Sequence, residues 1–323
     1  MVVNLDKADR RILFELDRNC RIPETKLAKI IGKSKESVRY RIKQLENKGV
    51  LKGYTIWIDP TKVGYTTAKI YLKFSNKPEQ KKKFVEFVKR DKRLLWLGIA
   101  EGAWNAGLTY FVKSNREFFE LKNELFSKFK DLILESYTGV LVDVSVHDKT
   151  FLYESETEWK VMFGIQGDYI LDEVEKKILK ELFSNARINL VDIARKYNST
   201  IDIIRSRMKK LGDKGIIFRY AAKIDFNLLG YEFYKTFLYF KNLAIEDEKR
   251  LMNYSKRNPK IIHLVKQISP WDIELEIMSE SYHDYLEIIS DLTKEFSKVI
   301  NKVETAIMGE DHLFPAKKMI FEN

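Results

Sequence analysis

The sequence predicts an α+β chain in which two winged helix-turn-helix domains alternate with two ferredoxin-like βαββαβ domains. Three observations predict it. An internal repeat recurs at a fixed offset of 166 residues. Each copy opens with short amphipathic helices separated by tight turns and closes with strands and helices in the order βαββαβ. The basic excess sits only in the opening segments. Residues 1–60 hold 14 Lys and Arg against 8 Asp and Glu, residues 171–225 hold 13 against 8, and the rest of the chain is balanced. Positive charge confined to two short segments points to two modules that face a polyanion.

The repeat fixes the domain order. "SVRYRIKQLENKGV" at residues 37–50 is answered by "IIRSRMKKLGDKGI" at 203–216. "LDKADRRILFELDRNCRIPETKLAKI" from Leu5 is answered by "LDEVEKKILKELFSNARINLVDIARK" from Leu171. A later shift of one residue sets "GAWNAGL" (102–108) against "SPWDIEL" (269–275). So long a period means two complete domain pairs, with expected boundaries at 1–60, 61–150, an ordered aromatic linker at 151–169, 170–225 and 226–323.

The elements follow in order. Ile12, Leu13 and Leu16 recur at helical spacing. Pro23 and Glu24 open a second helix that Gly32 stops. Ser34 caps a third, whose buried stripe is Val38, Ile42 and Leu45 and whose end is Gly49. The short turn between the second and third helices is a helix-turn-helix feature. "VLKGYTIWIDP" then alternates as a two-stranded wing. Beyond it, "TAKIYLKF", "LLWLGIA", "AGLTYFV" and "TGVLVDVSV" read as strands, the last with Val140, Val142, Val144 and Val146 on one side. "EQKKKFVEFVKRD" and "REFFELKNELFSKFKDLI" read as helices, the latter with Phe118, Leu121, Leu125, Phe129 and Leu132 on one face. In "WDIELEIM", Ile273, Leu275 and Ile277 face one way and Asp272, Glu274 and Glu276 the other.

Composition narrows the function. The chain is 45% hydrophobic and 33% charged, with no apolar run near the roughly 18–20 residues a membrane span needs. A cytoplasmic location without a membrane partner is expected. The single cysteine, Cys20, excludes an intrachain disulfide and a Cys-rich zinc site, and His147, His263, His283 and His312 lack metal-ligand spacing. Neither metal nor cofactor is expected. No phosphate-binding Gly-Lys loop, nucleophile elbow or His-Glu-x-x-His pair occurs, so the chain is expected not to be an enzyme and no catalytic residue is assigned.

A helix-turn-helix followed by βαββαβ, with "LDKADRRILFEL", "LAKIIGKSKESVRYRIKQLENKGVLKGY" and the Gly102-x-Trp104-Asn105 loop, resembles the Lrp/AsnC (leucine-responsive, feast/famine) family of transcription regulators. The second half carries the resemblance through "LDEVEKKILKEL", "RSRMKKLGDKGII" and Pro270-Trp271-Asp272. Family members are usually one such half and pair through their ferredoxin-like sheets. The resemblance therefore implies an intrachain pseudo-dimer that binds double-stranded DNA, open to further self-association. It also implies a small amino-acid-like effector near Gly102, Trp104 and Asn105, and near Trp271 and Asp272. Asn105 stands where the family usually has Asp, and Ser269 where it usually has Gly.

Candidate DNA-contacting residues lie on the exposed side of each third helix. In the first half these are Lys35, Ser37, Arg39, Tyr40 and Lys43, with Lys52 from the wing. In the second they are Thr200, Arg205 and Lys209, while Ile201 and Ile203 stand where the first half has Lys35 and Ser37. Arg41 and Arg207 border the buried stripe and read equally as DNA ligands or as partners of a nearby carboxylate. Two rival functions share the architecture. One is a siroheme decarboxylase-like enzyme, faintly echoed by "HLVKQISPW" around His263, and the other is a DNA-free sensor or scaffold.

Overall fold

The computed structural model describes residues 2–156 and 158–315, so Met1, Thr157 and residues 316–323 of the expected segments lie outside the described residues. The first half runs α1 (Lys7–Arg18), α2 (Glu24–Ile31), α3 (Lys35–Asn47), β1 (Leu51–Ile58), β2 (Thr66–Phe74), α4 (Pro78–Arg90), β3 (Leu94–Gly102), β4 (Ala106–Val112), α5 (Asn115–Lys128) and β5 (Ile133–His147). A short strand, β6 (Trp159–Met162), follows. The second half runs α6 (Glu173–Ser184), α7 (Leu190–Lys196), α8 (Ile201–Asp213), β7 (Ile217–Ile224), β8 (Glu232–Phe240), α9 (Ile245–Arg257), β9 (Ile261–Ile268), β10 (Ile273–Ser279), α10 (Tyr282–Glu295) and β11 (Ile300–Leu313). The fold is α+β, as expected.

The chain divides into two compact units. The first gathers Met1–Asp59, His147–Trp159 and Ile170–Glu232, and so holds both helix-turn-helix segments. All of its helices but α2 start where short polar side chains satisfy free N–H groups. Asp6 accepts from the Asp9 N–H, Ser34 from Ser37, Asn189 from Val191 and Thr200 from Ile203, and Asp172 forms a reciprocal capping box with Glu175. Gly32 ends α2 in the left-handed region at φ +69°. Ile12, Leu13, Leu16, Leu27, Val38 and Leu45 are buried, as are their repeat counterparts Ile178, Leu179, Leu182, Ile193, Ile204 and Leu211. Each such side chain contributes about 1.5–3 kcal/mol.

The expected wing is corrected. β1 is a single strand, and it pairs antiparallel with β7 of the other half, Tyr54 opposite Ala222 and Ile56 opposite Tyr220. Alternating residues announce a strand but not its partner. Here that partner lies a whole repeat away.

Beside this ribbon the residues that follow β5 insert a buried ionic cluster. Lys149 lies 2.8 Å from Asp17, and Arg219 lies 3.5 Å from Asp17 and 3.3 Å from Asp148. All four residues are buried.

The second unit contains the nine-stranded sheet, ordered β2-β4-β3-β11-β8-β10-β9-β5-β6. An additional β2–β5 pairing closes every strand but β6 into a ring, which removes free edges. Two apolar cores lie under helices. Ile70, Leu72, Phe84, Leu108 and Leu125 form one, and Leu238, Leu251, Leu264, Leu275 and Leu292 form the other. A third cluster, of Tyr71, Ala100, Trp104, Phe237, Trp271 and Ala306, draws on both halves. Val142 departs from its expected side. A bulge between Leu141 and Asp143 turns it outward.

Candidate nucleic-acid interface

Helix α3 buries Val38, Ile42 and Leu45 and so turns Lys35, Arg39, Tyr40 and Lys43 outward, with Ser37 half-buried. Tyr40 is 65% exposed, unusual for a large ring and available to a partner. Arg39 reaches back to Glu24 on α2 at 2.7 Å, and that hydrogen bond holds the Glu24 carboxyl below the usual range. The pair is exposed, so the guanidinium can exchange this carboxylate for a phosphate or a guanine edge. Lys43 is exposed, with Glu46 at 3.8 Å.

Arg41 is built differently. It donates to Asp6 and Asp9 at 2.7 Å each, tying α3 to the start of α1. Arg207 repeats the arrangement on Asp172 at 2.8 Å and Glu175 at 3.4 Å. Both arginines therefore hold the three-helix head together. Lys52 is likewise engaged. The antiparallel match of Leu51 with Ile224 sets its ammonium 2.6 Å from Asp225, which counters its charge.

Helix α8 buries Ile204, Met208 and Leu211. Thr200 is spent as the cap, Lys209 is exposed, and Arg205 pairs with Asp202 one turn earlier. Ile201 and Ile203 are exposed at the helix start, so the second head presents a less polar tip than the first.

The loop residues lie in the second unit. Gly102 has φ +117°, and a Cβ there would sit 2.5 Å from the Thr305 carbonyl oxygen, so glycine permits the β3–β11 approach. Asn105 accepts from the Phe74 N–H at 2.9 Å and donates to Glu101 at 3.1 Å, which makes it a brace of the loop. Trp104 and Trp271 are buried with ring centroids 5.7 Å apart. Neither indole N–H has a hydrogen-bond partner among the described residues. Asp272 is exposed, and partial burial of its carboxyl raises its pKa.

One cluster was not anticipated. Lys69 and Lys235 contact Glu274 at 3.1 and 2.6 Å, Lys235 also contacts Glu276, His263 joins Glu276, and the Tyr71 hydroxyl donates to Glu274. Lys69, Tyr71, Lys235 and Glu274 are all buried. Burial opposes both carboxylate charges, yet the lysines hold Glu274 and Glu276 below their ordinary range. The signal available was charge on the inner positions of β2, β8 and β10, which the alternation alone reads as a solvent face.

The family described as winged helix-turn-helix DNA-binding matches residues 5–52 and again 171–217. The HTH-type transcriptional regulator LrpA of Pyrococcus abyssi is 47% identical over 66 residues, which are 20% of this chain and 47% of that protein. This chain thus spans about half the length of the LrpA protein it matches. An uncharacterized HTH-type transcriptional regulator of Pyrococcus furiosus is 29% identical over 140 residues, 43% of this chain and 93% of that one. The chain carries the winged helix-turn-helix match twice and is similar to Lrp-type regulators over the stretches they share.

For this Lrp/AsnC-like chain the likeness to solved structures adds a correction. The siroheme decarboxylase NirDL covers 94% of it with a TM-score of 0.65 at 12% identity, matching 91% of the NirDL chain. At that identity the likeness establishes the shared fold. It overturns the expectation that the chain is not an enzyme, because the same architecture over nearly its whole length belongs to one. The missing hydrolase, nucleotide and metal motifs do not bear on that chemistry.

Proposed function

We propose that this Lrp/AsnC-like chain is a sequence-specific, cytoplasmic, double-stranded DNA-binding transcription regulator acting as a single-chain pseudo-dimer. The observation that carries the reading is the pairing of β1 with β7, which joins both helix-turn-helix segments in one unit. Covalent joining makes the second head's binding intramolecular and independent of protein concentration. Arg39, Tyr40 and Lys43 of α3, with Lys35 and Ser37 at its start, supply base and phosphate contacts. Arg205 and Lys209 of α8 supply the corresponding contacts beside the Thr200 cap. The engagement of Lys52 with Asp225 argues for a secondary role there. The test is binding to genomic duplex fragments across salt concentrations. Affinity should fall steeply as salt rises, because each neutralised phosphate releases counterions. Weak, salt-insensitive binding would contradict the reading.

A small effector of the amino-acid class is proposed for the Trp104–Trp271 region. Two buried indole N–H groups without acceptors support it, since such donors are seldom left unmatched. The exposed Asp272 could face a ligand ammonium, whereas Asn105 is committed to its own loop. Calorimetric titration with the twenty amino acids tests it, and uniform silence removes it.

A second reading, a tetrapyrrole-carboxylate enzyme, is favoured by the Lys69–Glu274–Lys235–Glu276 cluster, because perturbed titratable groups gather at reactive sites. Mixing the protein with siroheme decides it. A shifted Soret band supports the enzyme, and an unchanged spectrum removes it.

A further inference from the structure

The first unit contains a cavity of about 380 Å³ beside the starts of α2 and α3. Its walls are Arg21, Ile22, Pro23, Glu24, Thr25 and Lys35 from the first half, and Arg187 from the second. Arg21 and Arg187 are the same position of the repeat, 166 residues apart. Each reaches into the other half. Arg21 donates to the carbonyls of Ala186 at 2.7 Å and Ile188 at 3.1 Å. Arg187 donates to the Tyr54 hydroxyl at 3.4 Å, with its guanidinium 5.0 Å from that ring's centroid.

These anchors fix the two guanidinium groups without cancelling their charge. Carbonyls, a hydroxyl and a ring make the close contacts, and the nearest carboxylate, Glu24, is 3.9 Å from Arg187. Lys35, at the start of α3, makes no ion pair among the described residues. The acid in the wall, Glu24, is shared between Arg39 at 2.7 Å and Arg187 at 3.9 Å. Arg39, Arg187 and Lys35 thus act on that one carboxylate, while Arg21 adds a further cation to the cavity wall. A guanidinium held in place with donors to spare suits a planar or tetrahedral oxyanion, and phosphate above all. The repeat adds a contrast. Where α7 has Asn189 as a cap, α2 has Pro23, so no side chain of its own covers the first-turn N–H groups beside this cavity.

We infer that the cavity walled by Arg21, Lys35 and Arg187 binds a phosphate group, in duplex DNA a backbone phosphate between the two heads' contacts. The assignment to DNA rests on the proposed regulator function, whereas the phosphate chemistry does not. Two arms separate the sources. In the first, the full chain and its Arg187→Gln and Lys35→Gln variants are titrated with duplex DNA over a range of salt. Each variant should bind several-fold more weakly, and the slope of log affinity against log salt should fall by about 0.9 for each lost contact. In the second, the DNA-free protein is titrated with inorganic phosphate and pyrophosphate by NMR.

A reduced slope assigns the site to the DNA backbone. An unchanged slope, with phosphate binding that both variants lose, assigns it to a free phosphorylated ligand. Phosphate binding by a protein that binds no DNA at all removes the regulator reading and leaves the site standing. Unchanged slopes with no phosphate binding overturn the inference. Lys35 also belongs to the DNA-facing surface of α3, so the salt slope of Arg187→Gln assigns the site, and Lys35→Gln, at an exposed position, carries the phosphate titration where Arg187→Gln perturbs folding.

Discussion

Lys69 and Lys235, the same position in the two repeats, meet on one carboxylate, that of Glu274, at 3.1 and 2.6 Å. After the one-residue shift, the first half has Gly107 and Thr109 where the second has Glu274 and Glu276. A symmetric pair of cations is therefore balanced from one side only, and the duplicated halves have become dependent on each other.

This dependence has a pH signature. Glu276 titrates below its ordinary value in the folded chain, so the unfolded chain binds more protons and stability falls as pH falls. The contribution is complete above the ordinary glutamate pKa, about 4.3, and is lost below it. Glu276→Gln should cost about 1.5–3 kcal/mol at neutral pH, because it removes a charged hydrogen-bond partner from buried Lys235, which keeps Glu274. It should also lose less further stability than the parent between pH 5 and 3. Urea denaturation across that range measures both, and identical pH profiles would contradict the arrangement.

The buried ionic cluster after β5 makes a parallel claim for the first unit. Asp17→Asn leaves Lys149 and Arg219 buried beside a neutral amide. The cost should be about 3–5 kcal/mol, lowering a thermal transition by on the order of 10 °C. A melting curve that superposes on the parent's would show that the cluster adds nothing.

Arg39 and Arg41, two positions apart in α3, should behave in opposite ways. Arg39→Ala combined with Lys43→Ala should weaken DNA binding at least about fivefold while leaving thermal stability unchanged. Arg41→Ala should lower thermal stability, because it releases Asp6 and Asp9. Fragment retention and calorimetry of the same preparations separate the two roles. The account fails here if Arg41→Ala alone abolishes binding in a fully stable protein.

Two glycines test the backbone reading. Gly102→Ala should destabilise by more than about 1 kcal/mol, since its positive φ and the Thr305 carbonyl leave no room for a Cβ. Gly212→Ala, on the exposed side of α8 with nothing within 4 Å, should stabilise by about 0.5–1 kcal/mol. Equal effects in denaturant titrations would count against both assignments.

Much of the architecture was legible because it is locally encoded. Ser34 and Thr200 mark the starts of α3 and α8, Gly32 ends α2, and the spacing of Val38, Ile42 and Leu45 fixes which side of α3 is left for a partner. What escaped was set by contacts far apart in sequence. β1 reads as a strand from its own residues, but its partner β7 lies a repeat away. Arg41 could not be assigned without knowing that Asp6 and Asp9 fold back onto it. Asp272, Glu274 and Glu276 do alternate with Ile273, Leu275 and Ile277 as the pattern says. Closure of the sheet through β2 and β5 is what buries Glu274, and no local pattern announces closure. The Arg21–Arg187 match was visible as an identity, but its meaning depends on the two halves meeting.

Hydroxyl-radical footprinting of the full chain on genomic fragments selected for binding tests the central claim most directly. The account predicts two protected tracts on one face of the duplex, about one helical turn or a multiple of it apart, one for each head. A single tract that persists unchanged when Arg205 and Lys209 are replaced by Ala, or no protection at any salt concentration, would contradict a regulator that grips DNA with both halves of one chain.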